Sequence, residues 1–297
     1  MTLTATRSGL RPLLALGVAV LVWGTTFVVS AGALERSSPA VLTVTRFAVA
    51  AVVLVPLALR VGGLGRALRR RGTALLGLTG ITAYYALQNL GLTYTSAGNA
   101  ALLQAVLPLA TAAFAWILLA ERPSPQAAVG LLLASAGVVL LAGGAFVALD
   151  PGSLLIVVGV LGFAVYTTLL RRQPPTETLV LAAATCLWGL VFLLPWQLWE
   201  VTSGRAHVEV TGSLVAAVLY LGVLASALTV LLWTYATVRL RATTAGVFTA
   251  AIPAVGYLAA LLVGEEWGAV KSVGCLLALA GTLVVTGSDP ASTQQPD

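Results

Sequence analysis

Charge is scarce in this chain. Only 9% of its 297 residues are Asp, Glu, Lys or Arg, where a soluble globular domain carries about 25%, and 59% are hydrophobic. So little charge excludes a water-soluble domain. Acids are rarest, ten in all, and none sits in the middle of an apolar run. A proton-for-cation exchange that relies on a mid-membrane carboxylate therefore lacks its key residue. The one histidine, His207, lies in a polar loop with no second ligand near it and reads as an ordinary exposed side chain. The two cysteines, Cys186 and Cys275, lie inside apolar runs and read as small packing residues. With no histidine in any run, isolated cysteines and unclustered acids, the sequence offers no metal centre, no cofactor and little basis for an intramembrane enzyme. There is no Walker-type phosphate loop, so the chain does not itself couple to ATP.

What is present is a succession of apolar runs of the length that crosses a bilayer. Ten spans are expected, at 12–31, 39–59, 74–92, 97–119, 125–143, 153–170, 178–199, 213–234, 243–264 and 269–287. The chain reads as an all-α, multi-pass protein of the lipid bilayer, with a bacterial inner (plasma) membrane as the expected location. The start, with Arg7, Arg11, an apolar run and Ala31-Gly32-Ala33, has the outline of a secretory signal peptide. Against that, the run is long and carries Trp23, Gly24, Thr25 and Thr26. The net charge of +6 is not a nucleic-acid patch. Twelve of the sixteen basic residues fall in the segments that lie inside if the N-terminus is cytoplasmic, only Arg36, Arg205 and Lys271 in outer ones, and Arg46 within a span. That asymmetry predicts both termini in the cytoplasm.

The chain also repeats itself. The span at 97–119 has Pro108 at its centre and the span at 243–264 has Pro253; a shift of 145 residues superposes them, with Gln104 on Thr249 and Asn99 on Thr244. Gly130 to Gly137 (GLLLASAG) echoes Gly274 to Gly281 (GCLLALAG), Glu121 echoes Glu265, and Pro56 echoes Pro195. An N-terminal segment 1–11, a first repeat over 12–143, a second over 153–287 and a disordered polar tail over 288–297 follow. Five spans per repeat is an odd number, so the second repeat is expected to run inverted through the membrane.

Paired, proline-broken spans at matching places in two halves point to a transporter's binding site. Each proline removes one backbone donor and frees a carbonyl one turn earlier, at Gln104 and Thr249. Polar side chains inside spans should face a cavity or another helix. Tyr84 and Gln88 share one helical face, beside Tyr85 and Asn89, and their shifted partners are Thr229 and Trp233. With Asn99, Gln104, Pro108, Thr244, Thr249 and Pro253 they are the candidates for a substrate cavity of aromatic walls and neutral hydrogen-bonding groups. The competing role for the polar members is glue between helices. Arg46, roughly 10 Å from its span's outer end, is open to three roles: binding a substrate carboxylate, pairing with an acid or gate, or snorkelling to the headgroups. Its counterpart in the second half is Thr185. Glu121, Glu265 and Glu266 read as helix-end anchors. The small-residue face Ala134/Ser135/Gly137 can pack within the protein or between protomers, so oligomeric state stays open.

Trp23-Gly24-Thr25-Thr26-Phe27, Arg46-Phe47 and the ordered set Ala97, Pro108, Glu121, Arg122 and Gly130, repeated as Ala242, Pro253, Glu265 and Gly274, resemble the EamA-type members of the drug/metabolite transporter superfamily. The resemblance spans about Leu13 to Gly287. It implies ten helices around a central cavity and a secondary transporter that exports or exchanges a small-molecule substrate, such as an amino acid, by alternating access. A non-transporting receptor or scaffold is the alternative, but it leaves the symmetric broken helices unexplained.

Overall fold

The computed structural model describes residues 5–141, 150–262 and 268–288. Expectations for Glu265, Glu266, residues 142–143 and the tail beyond Ser288 lie outside these residues. Among the described residues the chain is helical throughout, with one isolated antiparallel bridge, Ser37 to Val208. The described part of each expected span is largely helical, residues 263–264 of the ninth lying outside the described residues. Seven helices are long and apolar enough to cross a membrane: Leu10–Leu34, Pro39–Val61, Ala97–Leu119, Pro151–Leu170, Thr178–Thr202, Gly212–Thr237 and Ala269–Ser288. Pro125–Leu141 and Ala242–Leu258 are shorter apolar helices. The expected span 74–92 is a helix over 71–91 built from three consecutive pieces. The outward faces carry Val28, Val52, Ile117, Leu132, Leu276 and Leu283, each more than 60% exposed, while polar side chains such as Gln104, Thr111 and Asn89 are buried. That inversion of the soluble pattern is what a hydrocarbon solvent selects.

The tightest helix pair is Pro125–Leu141 against Ala269–Ser288, the two copies of the small-residue motif. A Cβ at Gly137 would lie 2.3 Å from Ala278 N, and one at Gly281 would lie 2.4 Å from Ala134 N. Gly130 approaches the Gly281 carbonyl and Gly274 the Gly137 carbonyl, so the helices run antiparallel with their backbones in contact. Lipid supplies no hydrophobic drive between helices, and close backbone packing substitutes for it. The Ala134/Gly137 face is therefore spent inside the molecule.

Two other joints hold the ends. Glu200, buried near the end of Thr178–Thr202, accepts from Ser38 Oγ and from Ala40 N, closing the first turn of Pro39–Val61. A carboxylate there also meets the positive end of that helix. At the opposite end of the bundle, the Ala97–Leu119 helix finishes with Ala120 in the left-handed region (φ 55°). Ala120 N bonds Trp116 O and Glu121 N bonds Ala115 O, a Schellman-type cap that turns Glu121 off the helix.

The Gly137 contact yields a contrast. Gly137→Ala should lower the thermal midpoint of the detergent-solubilised protein by several degrees, because the obstacle is backbone; overpacking costs about 1–3 kcal/mol. Gly17→Ala, where nothing lies within 4 Å, should hold or raise it. Equal midpoints for the two variants would contradict the packing described.

Candidate functional site

The helices carrying the candidate residues are irregular where those residues sit. One turn before Pro108, residues Leu103–Ala105 tighten into a 3-10 turn. Before Pro253 the helix breaks between Phe248 and Ala251, where Thr249 N and Ala250 N bond Gly246 O and Val247 O. Both defects occupy positions related by the 145-residue shift, and both replace bonds that the missing proline N–H disrupts. A second pair was not legible from proline: Gly77–Ala83 and Tyr220–Leu228 are π-helical. The same shift carries residues 77–83 onto 222–228. The signal in the sequence was the pair Gly77 and Gly222. A Cβ on Gly77 would meet Trp188 Cβ at 2.6 Å, and one on Gly222 would meet Val49 Cβ at 2.6 Å. Each π stretch thus lies flush on a neighbouring helix. Each is also tied to it by hydrogen bonds, Thr82 Oγ1 to Gly189 O at 3.0 Å and Arg46 to Ser226 and Ala225.

Tyr84 and Thr229 begin the regular helix after each π stretch. Tyr84 OH donates to Gln104 Oε1 at 3.2 Å, joining the 71–91 helix to the 3-10 turn before Pro108. Thr229 Oγ1 accepts from Trp23 Nε1 at 3.1 Å. Trp23 packs on Trp233 at 5.0 Å and on Phe163 at 5.7 Å between ring centroids, and Phe163 also meets Trp233 at 5.4 Å and Tyr84 at 4.6 Å. The result is an aromatic cluster of Trp23, Tyr84, Tyr85, Phe163, Tyr166 and Trp233 at the meeting of four helices. The void among them is about 180 Å³ and nowhere wide enough for a water molecule. The cluster is packed shut. Gln88 Oε1 and Trp233 Nε1 are buried without a hydrogen-bond partner.

Tyr84, Gln104, Thr229 and Trp233 are therefore gathered at one place, with Gln88 one turn beyond Tyr84. Pro108 and Pro253 are both buried, and Thr249 Oγ1 bonds back to Gly246 O at 2.6 Å. Asn99 and Thr244 are not brought together. Asn99 Nδ2 donates to Thr95 and Ser153 Oγ atoms, both at 2.8 Å, in a corner with Asp150, whose carboxyl sits below the usual range because the Ser153 backbone N–H and the Thr95 hydroxyl bond it. Thr244 lies with Pro123, Arg241 and Ser288. The reason is geometric. Gly246 packs on Thr111 and Ala242 N donates to Glu121 Oε2 at 3.3 Å, so the two proline-broken helices run antiparallel. Residues equivalent by the shift then lie at opposite ends unless they are near the crossing. Sequence reasoning named Tyr85 only as a neighbour of the Tyr84 face and passed over Phe163 and Tyr166, which lack a motif of their own.

Arg46 is fully buried, which removes snorkelling. Nε donates to Ser226 Oγ at 3.0 Å and Nη2 to Ala225 O at 3.2 Å, and the guanidinium lies 4.5 Å from the Tyr85 ring centroid. Among the described residues no carboxylate lies within salt-bridge distance of it. Hydrogen bonds to a charged group are worth about 1.5–3 kcal/mol each and a desolvated cation–π contact about 2. Those gains roughly offset a desolvation penalty of several kcal/mol but leave Nη1 without an acceptor. As pure architecture, Arg46 is an expensive way to hold two helices together.

Glu121 behaves as an anchor. Its Oε1 lies 3.4 Å from Arg171 Nε while Oε2 caps Ala242, and Arg241 Nη2 donates to Arg122 O at 2.8 Å. Arg172 adds a bond to Leu118 O. His207 is exposed, and both cysteines are buried and free.

Helices of this length and apolarity mark a multi-pass integral membrane protein. The chain belongs to the EamA-like transporter family, which matches it twice, over residues 10–143 and 150–287. A protein of Streptantibioticus cattleyicolor described as a probable terminal-alkyne amino-acid exporter is 32% identical over 286 residues, covering 91% of this chain and 92% of that one. An uncharacterised transporter of Archaeoglobus fulgidus is 32% identical over 234 residues, 75% of this chain and 78% of its own. A solved crystal structure matches with a TM-score of 0.79 at 24% identity, over 95% of this chain and 99% of that one, which speaks to the fold.

In proteoliposomes, Gln104→Leu and Trp233→Ala should each lower solute flux about tenfold or more, the scale of one lost buried contact, while inserting like wild type. Wild-type flux from both well-inserted variants would remove these residues from the site.

Proposed function

We propose that this protein is a secondary transporter that exports or exchanges a small metabolite, such as an amino acid, by alternating access. The reading has ten membrane crossings in two inverted repeats, 12–143 and 153–287, both termini cytoplasmic, in a bacterial inner membrane. The observation that carries it is the register of the helix defects. Two 3-10-type breaks and two π stretches, paired by one shift, surround a single aromatic cluster. Broken helices around a midplane site are where the two halves of a transporter can rock against each other. Gln88, Gln104, Tyr84, Thr229 and Trp233 would contact substrate when the cluster opens; Asn99 and Thr244 would act at the two mouths. The Glu121–Arg171–Ala242 contacts and the Arg241 bond to Arg122 form a polar latch that must open for access from that end. The amino-acid exporter among the relatives gives the substrate class its support. The neutral lining favours a zwitterionic or uncharged solute over a strongly cationic one.

Purified protein in liposomes, loaded in turn with amino acids, amines and nucleosides, should show saturable flux for at least one class, with and without a pH gradient. Absence of flux for all of them would favour a receptor or scaffold.

A further inference from the structure

Nη1 of Arg46 is a fully buried donor of a charged group that no described residue satisfies. The guanidinium stacks over Tyr85, and Tyr85 lines the aromatic void with Trp23, Phe163 and Trp233. On the adjoining turns, Asn89 Nδ2 donates to Thr43 Oγ1 at 2.8 Å, leaving Asn89 Oδ1 buried without a donor. Thr43 and Arg46 are three residues apart on one helix, and Tyr85 and Asn89 four apart on the next, so these groups lie on facing stripes. One boundary of the cluster thus offers an unsatisfied cationic donor and, about a turn away, an unsatisfied neutral acceptor. The remaining walls are mainly aromatic rings, with Tyr85 OH and Trp233 Nε1 as further buried polar atoms that no described residue satisfies.

Resting on the transporter reading above, we infer that Arg46 is the substrate's carboxylate receptor. The transported solute carries a free carboxylate that takes Nη1, its ammonium is accepted at Asn89 Oδ1, and its apolar side chain inserts among Trp23, Phe163 and Trp233. A guanidinium held at Nε and Nη2 keeps one edge fixed and presents Nη1 in a set direction, which suits the planar recognition of a carboxylate. Ser226, already the acceptor for Nε, retains a hydroxyl proton of its own to give. The site discriminates for the acid and against its amide or ester, and between apolar side chains only weakly, because ring walls make no directional contact.

The test uses wild-type full-length protein in nanodiscs, with affinities from ligand-induced thermal stabilisation for L-phenylalanine against L-phenylalaninamide and L-leucine against L-leucinamide. Wild type should prefer the acid by about tenfold or more, the scale of one charge-assisted hydrogen bond. Arg46→Gln should bring that ratio to about one; Arg46→Lys should keep part of the preference. Ser226→Ala, which loosens the guanidinium without removing its charge, should reduce the preference about threefold and stands in if Arg46→Gln fails to insert. Equal affinity for acid and amide in wild type, a preference that survives in Arg46→Gln, a preference left undiminished in Ser226→Ala, or no binding by either acid overturns the assignment. Flux of some solute in liposomes together with any of those results would leave the transporter reading standing and remove this one.

Discussion

Inside hydrocarbon every backbone N–H and C=O must find its partner within the chain. That requirement makes the described residues helical from end to end and makes any departure from a regular helix costly. The departures are few and placed. Those at Leu103–Ala105 and Phe248–Ala250 are compensated by shorter-range backbone bonds. Those at Gly77–Ala83 and Tyr220–Leu228 are braced by side-chain hydrogen bonds to the helices they lie on, Thr82 of the first reaching Gly189 O and Arg46 of the neighbouring helix reaching Ala225 O of the second. A helix kinked only for packing needs no matching kink elsewhere. Matching kinks around one aromatic cluster are what a moving joint at a binding site requires.

How much of this could be read from the residues depended on the length scale of the signal. The spans were legible because roughly 20 apolar residues have few other uses. The proline breaks were legible because a proline inside a span has one mechanical consequence. The π stretches were not, since inserting one residue into a helix leaves no compositional mark; only the equivalence of Gly77 and Gly222 hinted at them. Phe163 and Tyr166 were invisible for another reason. An aromatic in an apolar span looks like any other lipid-facing or core residue until its neighbours are known.

Some of the candidate residues meet in space and others do not. Shifting one half onto the other identifies equivalent residues, but in antiparallel, mutually crossing helices equivalence is not proximity. Tyr84 meets Gln104 and Thr229 meets Trp23, neither of them a shift-related pair. With Gly246 on Thr111, Thr244 lies about 14 residues from Asn99 along the antiparallel pair, roughly 20 Å at 1.5 Å per residue. The small-residue motifs show the same geometry used constructively. Gly130, Gly137, Gly274 and Gly281 are equivalent and also in contact, since their two helices pack directly on each other.

Against this symmetry Arg46 is the exception, with Thr185 in its place in the other half. Two equivalent halves build a site that looks alike from both sides, which is sufficient to alternate access but gives a bound solute no preferred direction. A charge supplied by only one half breaks that degeneracy. In the proposed transport cycle it would fix which end of a bipolar solute faces which half, so that rocking of the halves would move the solute in one defined orientation. The brace that Arg46 provides to Tyr220–Leu228 then acquires a second meaning. A group that shares its donors between a π-helical joint and a ligand couples the state of the joint to the presence of the ligand, because a hydrogen-bond donor held by one acceptor is less available to the other.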